Sequence, residues 1–157
     1  MGLFSALMAA LMPACDGINL KRLKPGVTTL AETRDIMGPT TMEWTDADGS
    51  QTLEYARTPN GIVNYMIDFG PDRRLRQVRQ VLSEEYFARV KPGMSRDEIR
   101  RLLGQPASEQ YFSLKKEYAW DWKMRNEGTY DYYFDVYFDE NWQVTRTGSH
   151  MASIGGG

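Results

Sequence analysis

Two pairs of adjacent carboxylates are the first chemical candidates: Asp97 with Glu98, and Asp139 with Glu140. Paired carboxyl groups can hydrolyse glycosidic bonds, one as acid and the other as base or nucleophile. Their settings point to a plainer role. Asp97 and Glu98 open a helical pattern and Asp139 and Glu140 stand in a turn sequence, where adjacent acids serve as caps and solvated corners. Other reactive side chains are scarce: one cysteine, Cys15, and one histidine, His150. A lone cysteine excludes an internal disulfide. His150 sits in "GSHMAS", which resembles the scar of an expression vector, and residues 148–157 are Gly-rich and read as a flexible tail. On that reading the folded part lacks the commonest general base and metal ligand. There is no Gly-rich phosphate loop and no nucleophile elbow. The expectation is a protein that is not an enzyme, with no metal and no cofactor.

Those residues sit in a chain of 157, enough for one domain or two small ones. It is 41% hydrophobic and 25% charged, an ordinary globular balance. A net charge of −2 gives no push toward nucleic acid. Of the nineteen aromatic residues, twelve lie between Tyr111 and Trp142.

The chain begins "MGLFSALMAALMPAC", with no charged residue before Cys15. The apolar stretch is too short for a membrane-spanning helix, which needs about 20 residues. It suits the apolar region of a signal peptide, expected here over residues 1–14, or else a buried helix. "LMPAC" resembles the lipobox of bacterial lipoproteins, which implies a lipid on the Cys15 thiol. The alternative is a small buried thiol. Asp16 follows directly and resembles the inner-membrane retention signal of enterobacterial lipoproteins.

Two stretches carry the same helix signals: "KPGVTTLAETRDIMGP" from Lys24 and "KPGMSRDEIRRLLGQP" from Lys91. Ser95 with Glu98 forms a capping box, as does Thr29 with Glu32. Ile99, Leu102 and Leu103 make an apolar stripe at helical spacing. Thr33, Ile36 and Met37 occupy the same places 66 residues earlier. Gly38 and Gly104 allow a helix exit, and Pro39 and Pro106 stop continuation.

Three strand-like runs follow each helix. After the first come "QTLEYAR", "GIVNYMIDF" and "RLRQVRQVL"; after the second come "KEYAWDW", "YDYYFDVYF" and "WQVTRT". "TPNG", "GPDR", "KMRNEG" and "DEN" read as their hairpin turns. "LEYAR" also resembles "EYAWD". Short leading helices are expected at "DGINLKRL" and "SEEYFARV". The pattern predicts a duplication of an ααβββ unit, residues 15–82 and 83–147. A unit of this size is marginal alone. The expected fold is α+β, with six antiparallel strands shared in one larger sheet and helices packed on one face.

This ordered set resembles the SmpA/OmlA family, the BamE-like lipoproteins. The second copy carries the family pattern nearly whole, in "KPGMSRDEIRRLLGQP", "YAWDW" and "VYFDENWQV". The resemblance implies a non-catalytic periplasmic lipoprotein, anchored in the outer membrane, that aids the β-barrel assembly machinery. The doubling departs from the best-known members, which have one unit. Tandem units also occur in the β-lactamase inhibitor protein, so a soluble inhibitor-like binder is the second reading.

Strand alternation suggests where a partner would sit. Tyr118, Trp120 and Trp122 point one way, as do Tyr132, Phe134, Val136 and Phe138 on the next strand, and these are expected beneath the helices. Tyr133, Asp135 and Tyr137 then share the open face, where tyrosines suit protein binding or pair across strands. Arg74 and Arg76, in "RRLRQVR", are candidates for an acidic partner or anionic lipid, or simply a solvated sheet face.

Overall fold

The computed structural model describes residues 12–155, and the side chains from Asp16 onward. The expected leader therefore lies mostly outside the described residues, as does the side chain of Cys15. The chain runs α1 (Met12–Arg22), α2 (Leu30–Met37), β1 (Met42–Thr45), β2 (Gln51–Ala56), β3 (Asn64–Phe69), β4 (Leu75–Gln80), α3 (Glu84–Phe87), α4 (Arg96–Leu103), β5 (Ser108–Phe112), β6 (Glu117–Glu127), β7 (Tyr130–Phe138) and β8 (Val144–Ser153). The fold is α+β. The strands form two four-stranded sheets, in the orders β1-β2-β3-β4 and β5-β6-β7-β8. Neighbouring strands follow one another through short connections, which only antiparallel pairing permits. Among the described residues no helix is long and apolar enough to cross a membrane.

Two compact units result. One holds the residues up to Leu53 together with Ile67–Val78; the other holds Glu54–Met66 and everything from Arg79 onward. The β2–β3 hairpin end thus belongs with the second sheet's unit, although sequence would assign it to the first repeat.

The two capped helices form as their sequences dictate. Thr29 Oγ1 accepts the Glu32 N–H and Ser95 Oγ accepts the Glu98 N–H, each at 3.2 Å, while each glutamate accepts the cap residue's N–H at 2.7 Å. Both helices end on a glycine with positive φ, Gly38 at 82° and Gly104 at 77°, a conformation few side chains tolerate. Thr33 and Met37 are buried in one stripe, Ile99 and Leu103 in the other.

The likeness extends to the turns. Leu30 donates to Arg73 O and Arg96 to Trp142 O; Gly26 donates to Leu75 O and Gly93 to Val144 O. Arg73 and Trp142, the last residues of equivalent turns, both have φ of 59°. These pairings are consistent with duplication of one unit.

Several expectations need correction. Among the described residues there are eight strands in two sheets, not six in one. The additions, β1 and β5, are the first strand of each sheet, and their burial hardly alternates. An edge strand with one pairing side and little buried surface leaves no period-2 signal. "KMRNE" is strand rather than turn: β6 continues through it, with an irregularity between Lys123 and Arg125, and the chain reverses at Gly128. Residues 148–153 are not a loose tail. They pair with β7 from Asp135↔Gly148 to Tyr130↔Ser153, and His150 is part of the fold. Finally, the Arg57 N–H donates to Val63 O across the β2–β3 pair, which sets Glu54 opposite Met66 as Asp121 stands opposite Asp135, so the matching "EYA" strings occupy different places.

Candidate functional site

The second sheet presents two chemically different faces. One is aromatic and packed. Trp122 is fully buried and donates its indole N–H to Gly104 O at the end of α4; Phe134 stacks on Phe87 of α3 with centroids 4.4 Å apart. Trp120, Phe138 and Trp142 fill the space beside them. A buried indole needs an acceptor for its N–H, and the carbonyl at Gly104 supplies one for Trp122.

The other face is charged and tyrosine-bearing. Register places Asp121 opposite Asp135, Lys123 opposite Tyr133 and Tyr137 opposite Arg146. Tyr133, Asp135 and Tyr137 alternate along β7 and so share this face. The Arg146 guanidinium carbon lies 3.5 Å from the Tyr137 ring centroid, and Arg146 also pairs with Glu117 at 2.8 Å. The cation is held over the ring, at once a cation–π contact and an ion pair. Tyr133 stacks on His150, with rings 4.9 Å apart and 7° from parallel. Lys123 and Asp131 pair at 2.8 Å, and their side chains are largely covered.

Asp135 lies beneath these rings. His150 Nδ1 is 2.8 and 3.0 Å from its two carboxylate oxygens. Burial pushes the Asp135 carboxyl up, and contact with Asp121 pushes it the same way, while the histidine opposes both. Burial also raises the Tyr133 phenol. Both tyrosines are half-buried, and the Tyr133 hydroxyl hydrogen-bonds Asp131. The folded part does contain a histidine, contrary to the sequence expectation, and it sits on the proposed face.

Arg74 and Arg76 lie in the first unit, apart from this set. Arg74 donates to Val27 O at 3.0 Å, and Arg76 pairs with Asp72 at 3.0 Å. Asp139 Oδ1 accepts the N–H groups of Asn141 and Gln143, and hydrogen bonds from Ser95 hold the Glu98 carboxyl below its usual range. One member of each carboxylate pair is thus engaged with backbone at a turn or a helix start.

Sequence reasoning missed Glu54 and Asn64. Glu54 is completely buried, accepts the Gln105 N–H at 2.6 Å, and meets Arg100 through both oxygens at 3.0 Å. Asn64 donates to Leu103 O and Gln105 O, the last carbonyls of α4 and its exit. Together they satisfy the Leu103 carbonyl and both backbone groups of Gln105 at that helix end. The signal was present, since a glutamate between Leu53 and Tyr55 breaks an apolar run.

Residues 80–148 match the model of one family, the outer membrane protein assembly factor BamE domain. This segment is similar to that domain. The match runs from the end of β4 into β8, so it includes Tyr133, Asp135 and Tyr137 but stops short of His150. The BamE family is one of non-catalytic outer-membrane assembly lipoproteins of the bacterial envelope, which agrees with the resemblance read from the helix motif. No curated protein and no solved structure matches the chain.

Proposed function

We propose that the chain is a periplasm-facing accessory module of outer-membrane protein assembly, anchored by lipid at Cys15 and acting by protein binding without catalysis. The observation that carries this reading is the BamE domain over residues 80–148, whose charged sheet face bears accessible ring surface at Tyr133 and Tyr137. Tyrosines fixed by neighbouring charges lose little rotamer freedom on docking, which suits them to an interface. The repeats 15–82 and 83–147 are part of the same proposal, supported by the shared caps and turns. In it the first repeat extends the BamE domain, and Arg74 and Arg76 offer a second, basic contact for envelope proteins or anionic lipid.

The test is a crosslinking pull-down from cell envelopes with the native chain and with Tyr133→Ser/Tyr137→Ser. Recovery of barrel-assembly components, reduced at least about tenfold by the double variant, is the expected result, since two central aromatic contacts are each worth 1–2 kcal/mol or more. Equal recovery by both proteins removes the face from the mechanism. Recovery of a single soluble enzyme instead would favour the inhibitor-like reading. Mass spectrometry of the mature N-terminus checks the anchor: an acylated Cys15 is expected, and a free thiol would overturn it. Membrane fractionation tests the outer-membrane assignment, because Asp16 could instead retain the protein at the inner membrane.

A further inference from the structure

Asp121 of β6 and Asp135 of β7 are register partners, so their carboxylates leave one face of the sheet side by side. Both residues are buried, at 7% and 2% exposure. His150 of β8 reaches Asp135 through Nδ1, and one ligand atom from each of the three residues lies within 4.8 Å of the other two.

Charge balance is what this cluster lacks. Two buried carboxylates repel each other, and each has lost its hydration. The fixed cations nearby are already engaged, Lys123 with Asp131 and Arg146 with Glu117. One imidazole remains to face two acids.

We propose that Asp121, Asp135 and His150 form a binding site for a divalent transition-metal cation, with zinc the best fit. A dication neutralises both carboxylates, and the imidazole then binds in its neutral form. Zinc takes imidazole nitrogen and carboxylate oxygen at about 2.0–2.2 Å, so ligand atoms around it stand about 3.3 Å apart. The present Nδ1–oxygen distances of 2.8 and 3.0 Å need only a small opening.

Outer contacts already orient the ligands. Ser108 Oγ donates to Asp121 Oδ2, and Tyr133 lies parallel to the His150 ring. Such contacts fix carboxylate and imidazole orientation in metal sites. The His150 side chain is 46% exposed, so the cluster opens to solvent on that side. Three protein ligands leave a coordination position for water or for a side chain of a docked partner. This inference stands apart from the assembly role, because it concerns the ion alone.

The experiment is calorimetric titration of zinc ion into the full chain at pH 7.5. A Cys15→Ser version removes the other strong zinc ligand. Binding of one ion per chain is expected in both proteins. His150→Ala and Asp135→Asn should each weaken it by about tenfold or more, and Ser108→Ala by less. The exposed His150 position keeps the test decisive if Asp135→Asn does not fold, with circular dichroism as the check. No binding tighter than about 100 µM would overturn the proposal. So would unchanged affinity in His150→Ala, or binding that disappears in Cys15→Ser.

Discussion

Helices α2 and α4 are built alike down to individual hydrogen bonds, yet the strands that follow them differ in length and chemistry. The first sheet has strands of 4 to 6 residues, whereas β6, β7 and β8 have 11, 9 and 10. The longer sheet has room for an aromatic core on one face and a charged array on the other. The shorter β2 instead buries a glutamate, Glu54, completely. Caps and turns therefore specify the frame, since each needs particular residues at particular spacings. Strand length and side-chain identity are free to change within it. The BamE match falls on the longer sheet, ending within β8.

The largest effect should come from removing Glu54, the completely buried glutamate of β2. Glu54→Ala strands the Arg100 guanidinium and leaves the Gln105 N–H without its acceptor. Breaking a buried pair in this way costs about 3–5 kcal/mol, and chemical denaturation would measure it. Surface pairs give a contrast. Removing Arg34, whose pair with Glu43 is exposed, should cost under about 1 kcal/mol. Similar losses at the two sites would end the claim that the buried pair holds the α4 exit.

The charge state of Glu54 adds a pH signature. Burial raises its carboxyl above the usual 4.5, with Arg100 opposing. The folded state thus binds the proton more tightly than the unfolded one. The associated stability is full below the unfolded value and is lost as pH rises through the folded value. Glu54→Gln abolishes that titration, so its deficit relative to the native chain should shrink from pH 4 to pH 8. Denaturant midpoints of both proteins across that range give the answer. A deficit that grows with pH would mean that ion pairing with Arg100 outweighs burial.

How much of this could be read beforehand follows from what each element announces. The capping boxes at Thr29 and Ser95 state helix starts outright, and Gly38 and Gly104 state the ends. The placement of Tyr133, Asp135 and Tyr137 on one face followed from alternation. Strand β8 beyond Thr147 was hidden because "GSHMAS" lacks β-branched and aromatic residues. The signal available was indirect: β7 has nine residues, and ending β8 at Thr147 would leave six of them with an unpaired edge. Seeing that would have brought His150 onto the face and beside Asp135. The bond between Glu54 and the Gln105 N–H joins residues 51 positions apart, and such pairings leave no local pattern.

The two helix exits offer a finer comparison. Gly38 and Gly104 share an unusual conformation, with ψ of −158° and −163°, that costs other residues about 1–3 kcal/mol. Their surroundings differ. A methyl group at Gly38 would meet nothing within 4 Å, whereas one at Gly104 would meet Glu54 Oε1 and Asn64 Nδ2, each at 2.9 Å. Gly104→Ala should therefore cost more than Gly38→Ala, by about 1–3 kcal/mol of overpacking. Equal costs in thermal denaturation would mean that Glu54 and Asn64 can move aside, and that the second exit is no more constrained than the first.

The smallest difference is expected at the helix starts, where the repeats agree best. Thr29→Ala and Ser95→Ala each remove a hydroxyl that accepts one N–H at 3.2 Å. Each should cost about 1 kcal/mol, and the two costs should match within a few tenths. Both glutamates would keep their bonds to the cap N–H, so neither helix should unravel. The pH dependence should match too, because hydrogen bonds to the cap residue lower both carboxyls, Glu32 and Glu98. That contribution is present above about pH 4.5 and fades as pH falls through the lowered folded values. A Ser95→Ala cost several times that of Thr29→Ala would show that the second start carries tertiary load, and the duplicated frame would then be alike in outline only.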